Sequence, residues 1–321
     1  MLKLITRGGL VTAVNILPVE DYLLSVISSE MSATSSGELL RAHAVISRSW
    51  LLAQIDKTSR LSEVPERYRT SFLTKQRSPG GIDMEDHKRI SMYVPITTAT
   101  GPGITRASTK VVRDAVRETS GEVLMSGDNI CDARYSKCCG GVTELFENVW
   151  EPVSHTYLQK ITDNGQPPAG FDTDLTVEEH AVEWIRGNPE AFCNTSDRNI
   201  LSQVLNNYDQ ETSDFYTGGR SHTPQSELSA LVRERTGVDF GVVTSLEPLT
   251  RGTSGRIVRL RITGEKKTMI IGKELEIRKA LSRTHLYSSA FSGEMVSREW
   301  KVEPYIPARE RDGATVWASA R

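Results

Sequence analysis

Leu17-Pro18-Val19-Glu20-Asp21-Tyr22-Leu23, with Ser28-Ser29-Glu30-Met31 close behind it, decides how this chain is read. Pro18 suits the first helical position, where its missing N–H costs nothing. Val19, Tyr22, Leu23, Val26 and Ile27 recur at helical spacing and give the helix one apolar face. Glu30 follows that face directly, beside the small Ser28 and Ser29. A carboxylate at the edge of an apolar helix can be desolvated enough to serve as a general acid. The plainer alternative is a solvated acid at a helix end. Glu20 and Asp21 fit the first turn of the helix as solvent-facing acids that favour its dipole.

Outward from that helix, residues 9–16 alternate as a strand before it. Ser35 and Glu38 have capping-box spacing for a second helix over 37–57. Its stripes are Leu39, His43, Ile46, Trp50 and Leu40, Ala44, Ser47, Leu51. His43 is read as a histidine at the edge of the core rather than a base. Arg48, polar within an apolar helix, either snorkels or anchors a loop or a substrate. Residues 109–119 predict a short helix capped by Ser108 or Thr109, and 122–135 a hairpin turning at 126–129. Gly140-Gly141 mark a close backbone approach, as a bulge or a groove wall. Helices are predicted at 176–186, 197–207 and from Pro224 to a stop at Gly237. Strands follow at 242–248, 255–263 and 267–272, with a helix over 273–281. The fold class is therefore α+β, mixing helices with antiparallel strands. Four segments are expected: 1–172, a helical insertion or subdomain at 173–237, C-terminal strands at 238–291, and a tail from 292.

The 321 residues suffice for one large or two modest domains. A net charge of −2 gives no electrostatic support to a nucleic-acid partner. No stretch approaches the roughly 18–20 apolar residues of a membrane span. Met1-Leu2-Lys3-Leu4-Ile5-Thr6 runs straight into Arg7-Gly8-Gly9, which reads as no signal peptide. The four cysteines, Cys131, Cys138, Cys139 and Cys193, are too few for a disulfide scaffold. Cys131 and Cys138 are buried thiols first, a bridge across the hairpin second, and metal ligands last.

The string LPVEDYLLSVISSEM at 17–31, followed by LLRAHAVISRSWLLAQ at 39–54, resembles the SpoIID/LytB family of sporulation stage II protein D and amidase-enhancer proteins. ARYSKCCGGVTE at 133–144 and GKELEIRKALSRTHLYSSAF at 272–291 are similar to later blocks of that family, in a Bacteroides-like variant. The resemblance implies a peptidoglycan-directed protein outside the cytoplasm, built on a SpoIID-type catalytic domain. It implies lytic transglycosylase activity with Glu30 as catalytic acid and peptidoglycan glycan strands as substrate. Arg48, Tyr135, Ser136 and Lys137 are the expected substrate contacts. The alternatives are a non-catalytic enhancer that grips peptidoglycan and activates a cell-wall amidase, or a frameshifted inactive member.

Two features of that family are missing. Intact members carry a metal loop of the type DHxxxxVCADxHC, from which zinc is expected, whereas this chain has DHKRISMYVPITTATGPGIT at 86–105. His87 is the one ligand candidate kept, with Tyr93 and Thr98 where cysteines belong, so no zinc cofactor is expected as the chain stands. The family's terminal GAGWGHGVGLCQ is absent too. Codons for 91–99, read in another frame, can spell the cysteine motif, and codons for 309–321 can spell the terminal one. A shifted frame over 88–102 and 293–321 is the expectation, and with it a poorly ordered tail.

Overall fold

A computed structural model describes residues 2–7, 9–15, 17–31, 35–59, 109–136, 138–168, 170–187, 189–204, 221–283, 286, 288–296 and 299–304. Within them the chain is α+β, with antiparallel pairing in every sheet. It divides into two units, Met1–Tyr135 with Ser202–Asn207, and Ser136–Leu201 with Tyr208–Arg321.

The first unit opens with a hairpin, β1 (Leu2–Arg7) against β2 (Leu10–Asn15). The sequence predicts only the second of these strands. Gly9, in the turn between Arg7 and Leu10, has φ 78°, which suits the left-handed conformations tight hairpins need. Helix α1 spans Val19–Glu30 and α2 spans Gly37–Ser59. Pro18 caps α1, one position before the one predicted. Ser36, not Ser35, accepts the Leu39 N–H at 3.3 Å to cap α2. Ser35 is buried and donates to the Gln203 carbonyl instead. Helix α3 (Lys110–Glu118) starts as predicted, with Thr109 accepting the Val112 N–H. The three helices bury Leu23 and Ile27, Leu40 and Ala44, and Val112, Ala115 and Val116 against each other. A short hairpin, β3 (Met125–Ser126) and β4 (Asn129–Ile130), turns at Gly127-Asp128. Cys131, after it, is a buried free thiol, so the bridge to Cys138 is not made.

The second unit holds α4 (Phe146–Val149), α5 (Glu178–Arg186), β5 (Ser221–Pro224), α7 (Gln225–Thr236), β6 (Val243–Arg251), β7 (Ile257–Gly264), β8 (Thr268–Ile271), α8 (Glu274–Ala280), β9 (Phe291–Val296) and β10 (Glu299–Pro304). Helix α6 (Arg198–Val204) runs across the division between the units. Strands β6-β7-β8 form one sheet and β5-β10-β9 another. Pro248 sits on edge strand β6, at a register irregularity, where its missing N–H breaks no central ladder. Helix α7 ends at Gly237 in the left-handed conformation, as the sequence predicts. The stretch 173–237 is not a body of its own. Leu228 and Val232 of α7 share one core with Phe240, Val243, Ile257 and Phe291.

Poor order is expected over 293–321, but within it 293–296 and 299–304 are paired strand, as parts of β9 and β10. Their alternation of Trp300 and Val302 with charged residues supplies the strand period. The altered loop at 86–105, with His87, Tyr93 and Thr98, and the tail beyond 304 lie outside the described residues.

Candidate functional site

Glu30 is the last residue of α1, and its side chain is 27% exposed. Beneath it, Leu23 and Ile27 are fully buried and fix the face of the helix that meets α2 and α3. The Tyr135 hydroxyl donates a hydrogen bond to Glu30 Oε2. His43, on the facing turn of α2, places Nε2 3.7 Å from the same oxygen. The imidazole meets the Tyr135 ring edge to face, with centroids 4.9 Å apart and planes at 89°. Such T-shaped contacts are favourable and fix both rings.

His43 is 3% exposed, and burial pushes its pKa down to about 4. It is a neutral imidazole at physiological pH and brings no cation to Glu30. Tyr22 is pushed up to about 12, by burial first and by the Glu30 charge second, so its hydroxyl stays protonated. The site is one carboxylate at a helix end, held by one phenol and backed by one neutral imidazole. Helical rise puts Glu20 roughly 15 Å from Glu30 along α1. Paired-carboxylate glycosidases need separations of about 5–9.5 Å, so Glu20 cannot be the second acid of such a pair.

Arg48 corrects the sequence expectation. It is 1% exposed, and its donors are taken by the protein. Nε and Nη2 reach the two Glu20 oxygens at 2.8 and 2.7 Å, and Nη1 reaches the Glu122 carbonyl at 3.0 Å. Nη2 also reaches the Val116 carbonyl at 3.5 Å, so the buried guanidinium anchors a loop, the alternative the sequence leaves open beside a substrate contact. Glu20, expected in solvent, is the partner of this buried guanidinium. Of the other expected contacts, Tyr135 stands at Glu30 and is 44% exposed. Ser136 is exposed in the second unit, and Lys137 lies outside the described residues.

Beyond Tyr135, Arg134 lies over the Trp50 ring at 5.7 Å and is held by buried Asp132 at 2.7 and 3.2 Å. Trp50 lies seven residues along α2 from His43, two turns on the same stripe. That stripe is visible in the sequence, but its closure onto Glu30 is not.

In the second unit, Glu144 was missed by sequence reasoning. It accepts the Thr253 N–H and hydroxyl, the Ser254 N–H and hydroxyl, the Leu145 N–H and the Asn148 amide. Burial alone would raise its pKa, but the bonds from Ser254, Asn148 and the backbone outweigh it and hold the carboxyl below the usual range. A Cβ at Gly252 would meet the carboxylate at 2.2 Å, so only glycine fits there. This is a clamp on the 252–254 turn, not a reacting group.

Residues 7–125 match the family model described as Stage II sporulation protein, and 144–306 match Domain of unknown function (DUF8618). The chain is also similar to Stage II sporulation protein D of Bacillus subtilis (strain 168), at 25% identity over 136 residues. That match covers 42% of this chain and 35% of the relative, about a third of the relative's length. Glu30, His43 and Arg48 fall inside the first family match. The second runs through 293–306, which a shifted frame beginning at 293 would not carry. The stretch left to a shifted tail is therefore 307–321.

Proposed function

The chain belongs to the SpoIID, Stage II sporulation protein, family by residues 7–125 and to the DUF8618 family by residues 144–306, and from that premise we propose that it acts on peptidoglycan glycan strands outside the cytoplasm as a lytic transglycosylase, with Glu30 as the single acid/base. Among the described residues no helix is long and apolar enough to cross a membrane.

One observation carries this reading: a partly buried carboxylate fixed by Tyr135 and backed by neutral His43. A glycan lyase needs only one such group. Protonated Glu30 gives its proton to the glycosidic oxygen as the C1–O4 bond breaks. The carboxylate then takes the proton of the same muramic residue's C6 hydroxyl, whose oxygen attacks C1. The product is a 1,6-anhydro end, no water is consumed, and Glu30 ends protonated. Tyr135 holds Oε2, which leaves Oε1 as the oxygen to face the bond. The apolar packing under Glu30 limits water at the reacting centre, where water would give hydrolysis instead.

The test is digestion of purified glycan strands, with and without stem peptides, followed by mass detection of the chain ends. Anhydro-muramyl ends that vanish in Glu30→Gln support the proposal. Reducing ends in their place would mean hydrolysis. Binding without any cleavage would point instead to a protein that grips peptidoglycan for a partner amidase.

A further inference from the structure

The geometry points to a soft-metal site, of the kind that takes zinc, in the second unit, formed by Cys139, Cys193 and Asp163 with Cys138 beside them. It uses none of the residues of the Glu30 site and none of the loop around His87.

Cys139 Sγ and Cys193 Sγ lie 3.8 Å apart, and a carboxylate oxygen of Asp163 lies within 4.8 Å of both. Zinc–sulfur bonds are about 2.3 Å, so two sulfurs on one tetrahedral ion stand about 3.8 Å apart. A disulfide would need about 2.05 Å and would give the carboxylate and the third sulfur nothing to do. The Cys138 thiol lies next to this pair and interacts electrostatically with Cys193. Two thiols and one carboxylate supply three ligands of a tetrahedral zinc, and the fourth position is open to the neighbouring Cys138 thiol or to water.

The surroundings are arranged for anionic sulfur. Gly140 and Gly141 have φ of 71° and 90°, a left-handed turn that other residues rarely adopt. That turn aims the Gly140 amide at Cys138, and the Gly141 amide at Cys139 and Cys193. Gly141 has no room for a side chain either, since a Cβ would meet Trp184 Cζ2 at 3.2 Å. Such amide bonds to the ligands orient a metal site and steady its charge. The Arg256 guanidinium binds the Cys139 carbonyl at 2.8 Å and lends its charge to Cys138.

The segments that bring the donors together are tied to one another. Asp163 Oδ2 accepts the Cys193 N–H at 2.8 Å, the Asp163 N–H bonds the Gly141 carbonyl at 2.9 Å, and the Phe192 N–H bonds the Asp163 carbonyl at 2.7 Å. The three cysteines and Asp163 are all partly exposed, so an ion has access. The sequence shows the adjacent cysteines but gives no sign of Asp163 or Cys193, which lie 24 and 54 residues after Cys139.

The experiment uses the full chain, purified under reductant and stripped with a chelator. Zinc uptake is titrated against a chromophoric competitor, and a second sample is loaded with cobalt for its absorption spectrum. One zinc per chain is expected, with a thiolate-to-cobalt charge-transfer band and the strong visible bands of a tetrahedral ion. Cys193→Ser should lose the zinc at the same free concentration, while Cys131→Ser and His87→Ala keep it. Far-ultraviolet circular dichroism checks that each variant folds. Should Cys193→Ser fail to fold, the wild-type cobalt spectrum decides: bands of oxygen and nitrogen ligands alone overturn the assignment. It is also overturned if the reduced chain takes up no zinc, if Cys193→Ser or Cys139→Ser retains it undiminished, or if the unreduced chain shows a Cys139–Cys193 disulfide and reduction yields no zinc binding.

Discussion

Replacing Arg48 with methionine separates an internal brace from a substrate contact. Methionine keeps most of the stem volume, so the packing of α2 changes little. What is lost is a guanidinium that is 1% exposed and holds α1 through Glu20 and the loop after α3 through the Glu122 carbonyl. Two charge-assisted bonds to Glu20 would each contribute about 1.5–3 kcal/mol, and the carbonyl bond about 1. The Glu20 side chain is 35% exposed and can be rehydrated once its partner is gone, so the ionic part is discounted by about half. The expected loss is about 2.5–4 kcal/mol, around the lower end of what breaking a buried pair costs. The chain has two units, so a single melting temperature would blur the effect. Amide hydrogen exchange resolves it: the most protected amides of α1 and α3 should exchange roughly 70- to 900-fold faster, while the β6–β7 ladder is unchanged. Native protection in α1 and α3, together with a selective loss of glycan binding, would refute the reasoning and return Arg48 to the substrate.

The depressed pKa of His43, about 4, disfavours its charged form in the folded state. The unfolded chain binds the extra proton between about pH 6.5 and pH 4, so stability rises with pH across that window, by about 3 kcal/mol in all. His43→Gln should remove this share of the acid sensitivity of the first unit, as read by denaturant midpoints at pH 4.5 and 7; an unchanged pH dependence would contradict it. Glu144→Ala leaves three backbone donors of 145, 253 and 254 without their acceptor and should cost the second unit about 3–5 kcal/mol, with Glu144→Gln nearly as harmful because an amide offers one acceptor where two oxygens served. The carboxyl of Glu144 sits below its usual range, so its stabilisation is full above the unfolded carboxylate pKa and fades only as pH falls through the lower folded value. Tyr135→Phe removes the hydroxyl on Glu30 and should lower the rate of anhydro-end formation about tenfold, less than a buried donor would because Tyr135 is 44% exposed.

The sequence made local structure legible and left its partners hidden. Helices α1, α2 and α3 follow from apolar residues at helical period, and Thr109 and Gly237 mark ends whose chemistry is local. Strand β1 is hard to read from sequence because its Leu2, Leu4 and Thr6 alternate over only six residues, too few to separate a strand from an apolar start of the chain. Arg48 shows the limit on side chains. An arginine in an apolar helix must be paired, but its partner lies 28 residues away on another helix and carries no local mark. The same holds for Glu144, whose acceptors serve a turn 109 residues on. Glu30 could be singled out because it closes an apolar face. That His43 would stand 3.7 Å from it depends on how α1 crosses α2, which no spacing encodes.

The most direct test of the central claim is the count of anhydro-muramyl ends released from purified glycan strands, by this chain and by a version given the cysteine motif within 88–102 and the terminal motif within 307–321, each with Glu30 and with Glu30→Gln. The account predicts anhydro ends that depend on Glu30, falling by at least about 10²-fold in Glu30→Gln while strand binding persists. Anhydro ends formed equally well by Glu30→Gln, or none from either version with Glu30 in place, would contradict it.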